Sequence, residues 1–345
     1  MLRSAAKLLR HARGDDPGRW DPLLAVYYLT YRCEFRCPYC SDGAQNPYYR
    51  LRANPLPAPA VIDLLHRIRR HASYLVLTGG EPLQHPDFAE VLRRVPEVGF
   101  EGVVLTTNGD GLAPHLPLVR RAVTDLVFSL DTLDHARADA WFGVGTGALA
   151  RILDTIERAR RDPGRASIII SSVVTPDNLD DLDAVADYAR ARGFRFAACP
   201  QLVGVKAHPA LTADPRYRRF YDGLIARKRR GDDIQGTVPY LEAMRDLRRF
   251  RCRPFTMLVV APEGEVFYPC LELGHYAGNL RSCPDLHALR RAGERLHGPQ
   301  PDCDVRCHSA CALGFSVLLE RPWQVVGEGW LRVKGAVRGA VHGGR

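Results

Sequence analysis

From Leu24 to about Val205 the chain alternates short apolar runs, rich in β-branched residues, with longer segments whose apolar positions recur at helical spacing. Six runs read as strands: LAVYYLT from Leu24, YLVLTGG from Tyr74, GVVLTTN from Gly102, DLVFSLD from Asp125, SIIISSVV from Ser167 and FRFAACP from Phe194. Between them PAVIDLLHRIRRH, DFAEVLRRV, LPLVRRA, GALARILDTIERARR and LDDLDAVADYARARG carry the helical pattern. Parallel strands lie between helices, so they read as continuous apolar runs rather than as a strict alternation, and these runs have that texture. The order predicts an α/β fold of six βα units, two short of a closed ring: a partial (β/α)6 TIM-like barrel over residues 24–205. A doubly wound open sheet gives a similar alternation. In both folds reactive groups collect where strands run into their following loops.

Beyond this stretch the pattern changes. Residues 206–250 are polar and Arg-rich, with helical patterns in YRRFYDGLIARKRRG and PYLEAMRDLRRF, and read as a helical connector. Over 251–315 two strand-like runs flank a PEG turn in FTMLVVAPEGEVFYPC and cysteines are dense, so a small Cys-rich C-terminal α+β domain is expected. The ends, 1–23 and 316–345, are basic and amphipathic. Leu2, Ala5 and Leu9 separate from Arg3, Lys7 and Arg10, and Val326, Trp330, Val333, Val337 and Val341 separate from Arg332 and Arg338. Packing on the protein itself is the simpler expectation for them, and peripheral contact with an anionic membrane the other.

Composition narrows the setting. No stretch approaches eighteen consecutive apolar residues and the start lacks the order of a signal peptide, so a cytoplasmic protein is expected. In a reducing compartment ten cysteines, nine of them in two groups, point to metal ligands or redox groups rather than disulfides. The formal charge of +9 permits an acidic partner, but Arg dispersed over helix faces reads as solvated surface, and nucleic-acid binding is not expected.

In YRCEFRCPYC, just after the first strand, Cys33, Cys37 and Cys40 stand at CxxxCxxC spacing. A structural zinc site takes four protein ligands, and no His or fourth Cys lies nearby to complete one. A cubic iron–sulfur cluster also takes four ligands, one per iron, so three thiols leave one iron to a ligand from outside the chain. With Tyr39 before the last thiol, the motif resembles the signature of the radical S-adenosylmethionine superfamily. The resemblance implies a [4Fe-4S] cluster on Cys33, Cys37 and Cys40, its open iron chelated by S-adenosyl-L-methionine. It also implies reductive cleavage to a 5'-deoxyadenosyl radical that abstracts hydrogen from a substrate, the electron coming from a flavodoxin- or ferredoxin-type donor.

Further matches follow in order at the strand ends: TGGEP with Gly79, Gly80, Glu81 and Pro82, TTNG with Asn108, and SLD with Ser129 and Asp131. By resemblance the GGEP backbone and Glu81 hold the cofactor's amino group, Ser129 and Asp131 its ribose or carboxylate, and Tyr39 its adenine side. Two glycines beside the acid let the backbone approach a ligand closely. Asn108 and Ser171 complete the expected cofactor-binding set, although the family's glycine-containing pattern is not evident around Ser171. No catalytic side chain is assigned beyond the cluster.

Cys252, Cys270, Cys283, Cys303, Cys307 and Cys311 form a second group, with Cys199 alone between the two. The run CRPFTMLVVAPEGEVFYPC, then GNLRS and CDVRCHSAC, resembles the SPASM or twitch extension, which implies an auxiliary [4Fe-4S] cluster. Cys252, Cys270, Cys303 and Cys307 are the ligand set the resemblance implies, with Cys283 and Cys311 as alternates. The sequence departs from the pattern by lacking a CxxC and ending in CxxxCxxxC. Four of these thiols would also close a zinc site, and ligand chemistry alone permits both metals. Cys199 reads as a small buried hydrophobe.

The expected function is therefore a radical S-adenosylmethionine enzyme whose auxiliary cluster assists an oxidative or redox-neutral modification of a peptide or small-molecule precursor. A lipid or isoprenoid substrate at a membrane surface is the alternative. A non-enzymatic iron–sulfur electron carrier or zinc structural protein accounts for the cysteines but leaves GGEP and SLD without purpose. About thirty residues precede the cysteine motif, so no N-terminal peptide-recognition domain is expected, and a separate protein would supply one.

Overall fold

The computed structural model of the chain describes residues 7, 10–11, 19–42, 45–162, 164, 166–299 and 307–320. All six predicted strands form: β1 (Leu24–Tyr28), β2 (Tyr74–Thr78), β3 (Gly102–Thr107), β4 (Asp125–Ser129), β5 (Ser167–Val174) and β6 (Arg195–Pro200). Between them lie α1 (Ala58–His71), α2 (Phe88–Val98), α3 (Leu116–Ala122), α4 (His135–Phe142), α5 (Ala148–Arg161) and α6 (Leu182–Ala191). Of these only α4 has no counterpart in the sequence reading. It is a short helix started by Asp134, whose side chain accepts from the Arg137 N–H, and stopped by Gly143 in the left-handed region.

Contacts divide the chain into two units. The first comprises Met1–Ser129, Leu133–Ile168 and Pro254–Cys303. Here β1 to β4 pair in parallel and in order, with Val26 opposite Val76, Val76 opposite Val104 and Thr106 opposite Val127. One face of these strands, made of Ala25, Tyr27, Leu75, Leu77, Val103, Leu105, Leu126 and Phe128, is buried. The opposite face, Val26, Val76, Thr78, Val104, Thr106, Val127 and Ser129, stays half-buried. The apolar runs thus hide an asymmetry: both faces are apolar enough for a helix-covered sheet, yet only one is sealed.

The segment expected as a separate small domain behaves differently. β9 (Met257–Val260) pairs in parallel with β1, β10 (Glu265–Phe267) returns antiparallel, and β11 (Tyr276–Asn279) follows antiparallel on β10. All four residues of MLVV are buried, so the strand needs cover on both faces, which a place beside β1 supplies and an independent hairpin would not. α10 (Leu286–His297) packs on β11. Trp20, buried, donates from Nε1 to the Met257 carbonyl at 2.8 Å and ties the start of the described chain to the same segment.

The second unit comprises Leu130–Thr132, Ile169–Arg253 and Asp304–Arg345. β5, which begins in the first unit, runs on here and pairs in parallel with β6. After a small hairpin of β7 (Leu202–Val203) and β8 (Lys206–Ala207) come α7 (Pro209–Ala213), α8 (Pro215–Arg230), α9 (Val238–Arg245) and α11 (Ala310–Glu320). α9 packs on α8 and on α11. Both helices expected in the connector are present.

The amphipathic tail beyond 320 and most of the first eighteen residues lie outside the described residues. Of the basic residues expected to face a membrane, Lys7 donates to the carbonyls of Pro22 and His71, and Arg10 pairs with Asp21 at 3.0 Å. Among the described residues no helix is long and apolar enough to cross a membrane.

Candidate active site

The CxxxCxxC loop leaves β1 and is locked to the chain on several sides. Beyond the ends of the paired strands the parallel ladder continues into the GGEP turn. The Leu29 N–H donates to Thr78, the Gly80 N–H to Thr30 at 2.8 Å and the Glu81 N–H to Arg32 at 2.8 Å. This close approach sets the residue types. A Cβ on Gly79 would stand 2.2 Å from the Thr30 carbonyl oxygen, and one on Gly80 2.4 Å from that of Arg32. The two glycines therefore make room for the backbone that leads into the cysteines.

Glu81 is buried and its carboxylate is occupied by the chain's own donors. Oε1 accepts from Thr107 Oγ1 at 2.8 Å and the Leu83 N–H at 3.1 Å, and Oε2 from the Asn108 N–H at 2.7 Å. Pro82 follows as the first residue of a 3₁₀ turn, where a missing N–H costs nothing. Glu81 thus pins the end of β3 to the turn after β2. Burial pushes its carboxyl up to about 8, with Glu34 adding to the rise, against three hydrogen bonds that favour the ionised form.

Asn108 is the second pin. Its Nδ2 donates to Glu34 Oε1 at 2.9 Å, and its Oδ1 accepts from the Asp110 N–H at 2.9 Å. Gly109, which follows in the left-handed region, has its would-be Cβ 2.8 Å from the Phe128 ring. α4 holds the loop from another side. Phe35 stacks on Phe142 with centroids 4.3 Å apart, the Arg36 N–H donates to the Phe142 carbonyl, and Tyr39 meets Trp141 edge-on at 5.2 Å. Arg36 Nη1 also gathers the carbonyls of Cys33, Glu34 and Phe35, while its guanidinium lies over Tyr49.

Of the thiols, Cys33 and Cys37 are half-buried and Cys40 is exposed; the Cys40 N–H donates to the Cys37 carbonyl at 3.1 Å. Burial, then the neighbouring Glu34, push the Cys33 thiol up to about 12, so a metal that binds there must displace its proton. Among the described residues no three His, Cys, Asp or Glu side chains converge on one point. The fit to an iron–sulfur cluster therefore rests on three soft donors, on their spacing and on the locked loop that carries them.

Ser129 ends β4, half-buried, in the first unit. Asp131 and Ser171 belong to the second unit and lie close in register. The Leu130 N–H donates to the Ser171 carbonyl, and Asp131 Oδ1 accepts from the Val173 N–H at 2.6 Å. The Asp131 carbonyl accepts from Asn178, itself fully buried. At this site Asp131 fastens the stretch after β4 to β5.

The later cysteines fall in both units. Cys270 and Cys283 lie in the first unit, Cys252, Cys307 and Cys311 in the second, and Cys303 outside the described residues. Cys307 is buried and its Sγ accepts from the Ser309 N–H at 3.4 Å, while Cys311 is exposed on α11. Among the described residues no disulfide joins any cysteine.

With this geometry in place, the chain can be compared with known proteins. Residues 27–189 match the Radical SAM superfamily model. Over this stretch the chain is similar to a radical SAM domain. The match begins in β1, runs through the three thiols and GGEP, and ends in α6. The radical SAM family is a family of enzymes that use a [4Fe-4S] cluster and S-adenosylmethionine. GTP 3',8-cyclase of Marinobacter nauticus is 33% identical over 168 residues, covering 48% of this chain and 49% of the relative. Mycofactocin maturase MftC of Mycobacterium tuberculosis is 31% identical over 234 residues, covering 63% and 56%. The chain thus spans about half the length of the curated relatives it matches. Among solved structures, Streptococcus suis SuiB bound to precursor peptide SuiA superposes with a TM-score of 0.58 at 17% identity, over 79% of this chain and 63% of that one. That similarity is one of fold, and it agrees with the mostly parallel sheet expected of a partial barrel.

Sequence reasoning missed Glu34, Thr107, Trp141 and Phe142. Glu34 was in view as a charged side chain inside the cysteine motif. Trp141 and Phe142 had a signal in the Asp134 and Gly143 caps that frame α4.

Proposed function

We propose that the chain is a radical SAM enzyme that cleaves S-adenosylmethionine at a cluster on Cys33, Cys37 and Cys40 and modifies a peptide substrate. The observation that carries the reading is the three-thiol loop locked onto the GGEP turn inside a matched radical SAM domain. When bound, the cluster and cofactor supply the radical chemistry. The chain's own part is to fix the loop through Gly79, Gly80, Glu81 and Asn108, to keep Tyr39 packed on Trp141 beside it, and to leave the β1–β4 face with Val76, Thr78, Val104 and Thr106 half-buried. Ser129, Asp131 and Ser171 remain in the proposed cofactor-binding set, with Asp131 acting through the β5 backbone.

A peptide is favoured over a nucleotide because the similarity to the mycofactocin maturase reaches over 63% of the chain and that to the GTP cyclase over 48%. SuiB, which shares the fold and was solved with a precursor peptide bound, points the same way. The proposal includes an auxiliary cluster on Cys252, Cys270, Cys303 and Cys307, with Cys283 and Cys311 as alternates, and an external flavodoxin- or ferredoxin-type donor. A lipid substrate finds less support, since Lys7 and Arg10 are engaged by the chain.

Anaerobic reconstitution with iron and sulfide, followed by dithionite and S-adenosylmethionine, should yield 5'-deoxyadenosine. A reconstituted protein that holds iron but forms none would sink the reading.

A further inference from the structure

We propose that the cleft between α9 and α11 is a docking site for an acidic segment of the peptide substrate, one that anchors the peptide away from the residue that reacts. The proposal rests on the peptide reading above and adds to it a place and a chemistry of recognition.

The cleft lies wholly in the second unit and measures about 340 Å³. Its floor is apolar: Ala243 of α9 and Leu313 and Val317 of α11 are buried beneath it, and Phe250 lines it half-buried. Its rim is charged. The chain leaves α9 at Leu247, which takes the left-handed region at φ 46° where glycine is usual, and the Arg248 N–H donates back to the Ala243 carbonyl at 3.0 Å. This reversal brings Arg248 and Arg249, both exposed, to line the cleft. The next residues run along α11, with the Arg251 N–H on Glu320 Oε1 at 3.4 Å and the Arg253 N–H on Ser316 Oγ at 3.2 Å. The segment that carries the two arginines is therefore fixed on both sides of them.

Elsewhere in this unit arginines meet carboxylates. Arg216 pairs with Asp180 and Asp214, Arg227 with Asp183 and Asp187, and Arg245 with Asp222 and Asp246. Among the described residues Arg248 and Arg249 pair with none. Asp246, the acid nearest to them in the chain, is held by Arg245 at 2.8 Å and Arg218 at 3.0 Å. Two guanidinium forks side by side above an apolar floor suit a ligand that carries carboxylates next to an apolar side chain. The chain's own residues 321–345, which continue from Glu320, do not have that character. They carry Arg321, Arg332, Lys334, Arg338 and Arg345 against the single acid Glu328, so like charge counts against them as the occupant.

The test is fluorescence anisotropy of a labelled decapeptide of alternating leucine and glutamate, titrated with the full-length, anaerobically reconstituted protein beside its leucine and lysine counterpart. The glutamate peptide should bind and the lysine peptide should not. Arg248→Glu with Arg249→Glu should weaken the glutamate peptide about tenfold or more, and Arg248→Ala with Arg249→Ala by a smaller factor. Arg219→Glu with Arg230→Glu makes the same change of net charge at exposed positions on α8 and should leave binding within about twofold. Equal losses in the two charge-reversed proteins, or no loss at Arg248 and Arg249, overturn the docking site, as does a wild type that ignores the glutamate peptide. Recruitment to phosphatidylglycerol vesicles that depends on Arg248 and Arg249, without peptide binding, overturns it in favour of a membrane. Wild type and variants should form 5'-deoxyadenosine alike with dithionite. A wild type that forms none sinks the radical SAM reading instead, whatever the peptide result.

Discussion

The two cysteine groups are built in opposite ways. Around Cys33, Cys37 and Cys40 each neighbouring element spends a specific residue on the loop: glycines from the turn after β2, Asn108 from the end of β3, Trp141 and Phe142 from α4. Cys252, Cys307 and Cys311 belong to one unit and Cys270 and Cys283 to the other, so these thiols come from segments distant in sequence. Three ligands close in sequence can be held by a preformed loop, whereas ligands from distant segments are gathered by the metal itself. On the proposed reading the first group is a site the fold makes, and the second is a site that would help to make the fold.

The largest expected effect tests that contrast directly. Replacing Cys33, Cys37 or Cys40 by Ala should abolish 5'-deoxyadenosine formation, a loss of about 1,000-fold or more, with about four irons lost per chain. On the proposed reading Cys270→Ala or Cys307→Ala should cost a similar amount of iron but leave cofactor cleavage within about tenfold, because an auxiliary cluster there would not be the one that binds S-adenosylmethionine. If the Cys270 variant also lost cleavage, the two groups would be one functional unit and the contrast would fall.

A second comparison lies inside the first group. In the metal-free protein Cys33 carries a thiol pushed up to about 12 by burial and Glu34, while Cys40 is exposed. Alkylation follows the thiolate, so iodoacetamide at pH 8 should label Cys40 while Cys33 reacts about 1,000-fold more slowly than an ordinary thiol. Peptide mapping of a short exposure reads this out. Equal labelling would show a loop that opens before it binds metal.

The sequence made much of this legible, and the gaps have physical causes. Six strands and their helices were readable because parallel strands in an α/β fold are apolar and β-branched, a local property. α4 escaped because HARADAWF is short and weakly amphipathic, and it is defined by its caps rather than its stripe. The place of β9 beside β1 could not be read, since pairing between residues about 230 apart leaves no trace in either segment beyond its apolarity. Of the site, the cysteines and GGEP were visible as motifs, but the contacts of Gly79, Gly80 and Glu81 with the neighbouring strands were not. A glycine that admits a ligand and a glycine that admits another strand look alike in sequence.

Glu81 offers a pH test of the scaffold. Its carboxyl moves from an ordinary value of 4.5 to about 8 in the folded chain, so between those values the native state holds a proton the unfolded state has lost. A group raised in this way contributes fully below the unfolded value, and that stability drains as pH rises towards the folded one, by up to about 1.4 kcal/mol per pH unit. Chemical denaturation of the metal-free protein from pH 5 to 8 should show this fall, and Glu81→Gln should flatten it. A slope that survives the substitution would mean that the three hydrogen bonds already keep Glu81 ionised.

The smallest effect concerns Gly80, and it separates packing from chemistry. Its would-be Cβ meets the Arg32 oxygen at 2.4 Å and the Tyr31 oxygen at 2.5 Å, both backbone atoms that cannot swing aside. Gly80→Ala should cost about 1–3 kcal/mol in the metal-free protein by forcing the cysteine strand away from the turn. Gly223 in α8 has nothing near its would-be Cβ, and Gly223→Ala should gain about 0.5–1 kcal/mol from helix propensity. If Gly80→Ala left metal-free stability untouched but still weakened S-adenosylmethionine, the glycine would serve the ligand and not the neighbouring strand. Loss of stability first, with cofactor binding following it, would place Gly80 in the scaffold that holds the thiols.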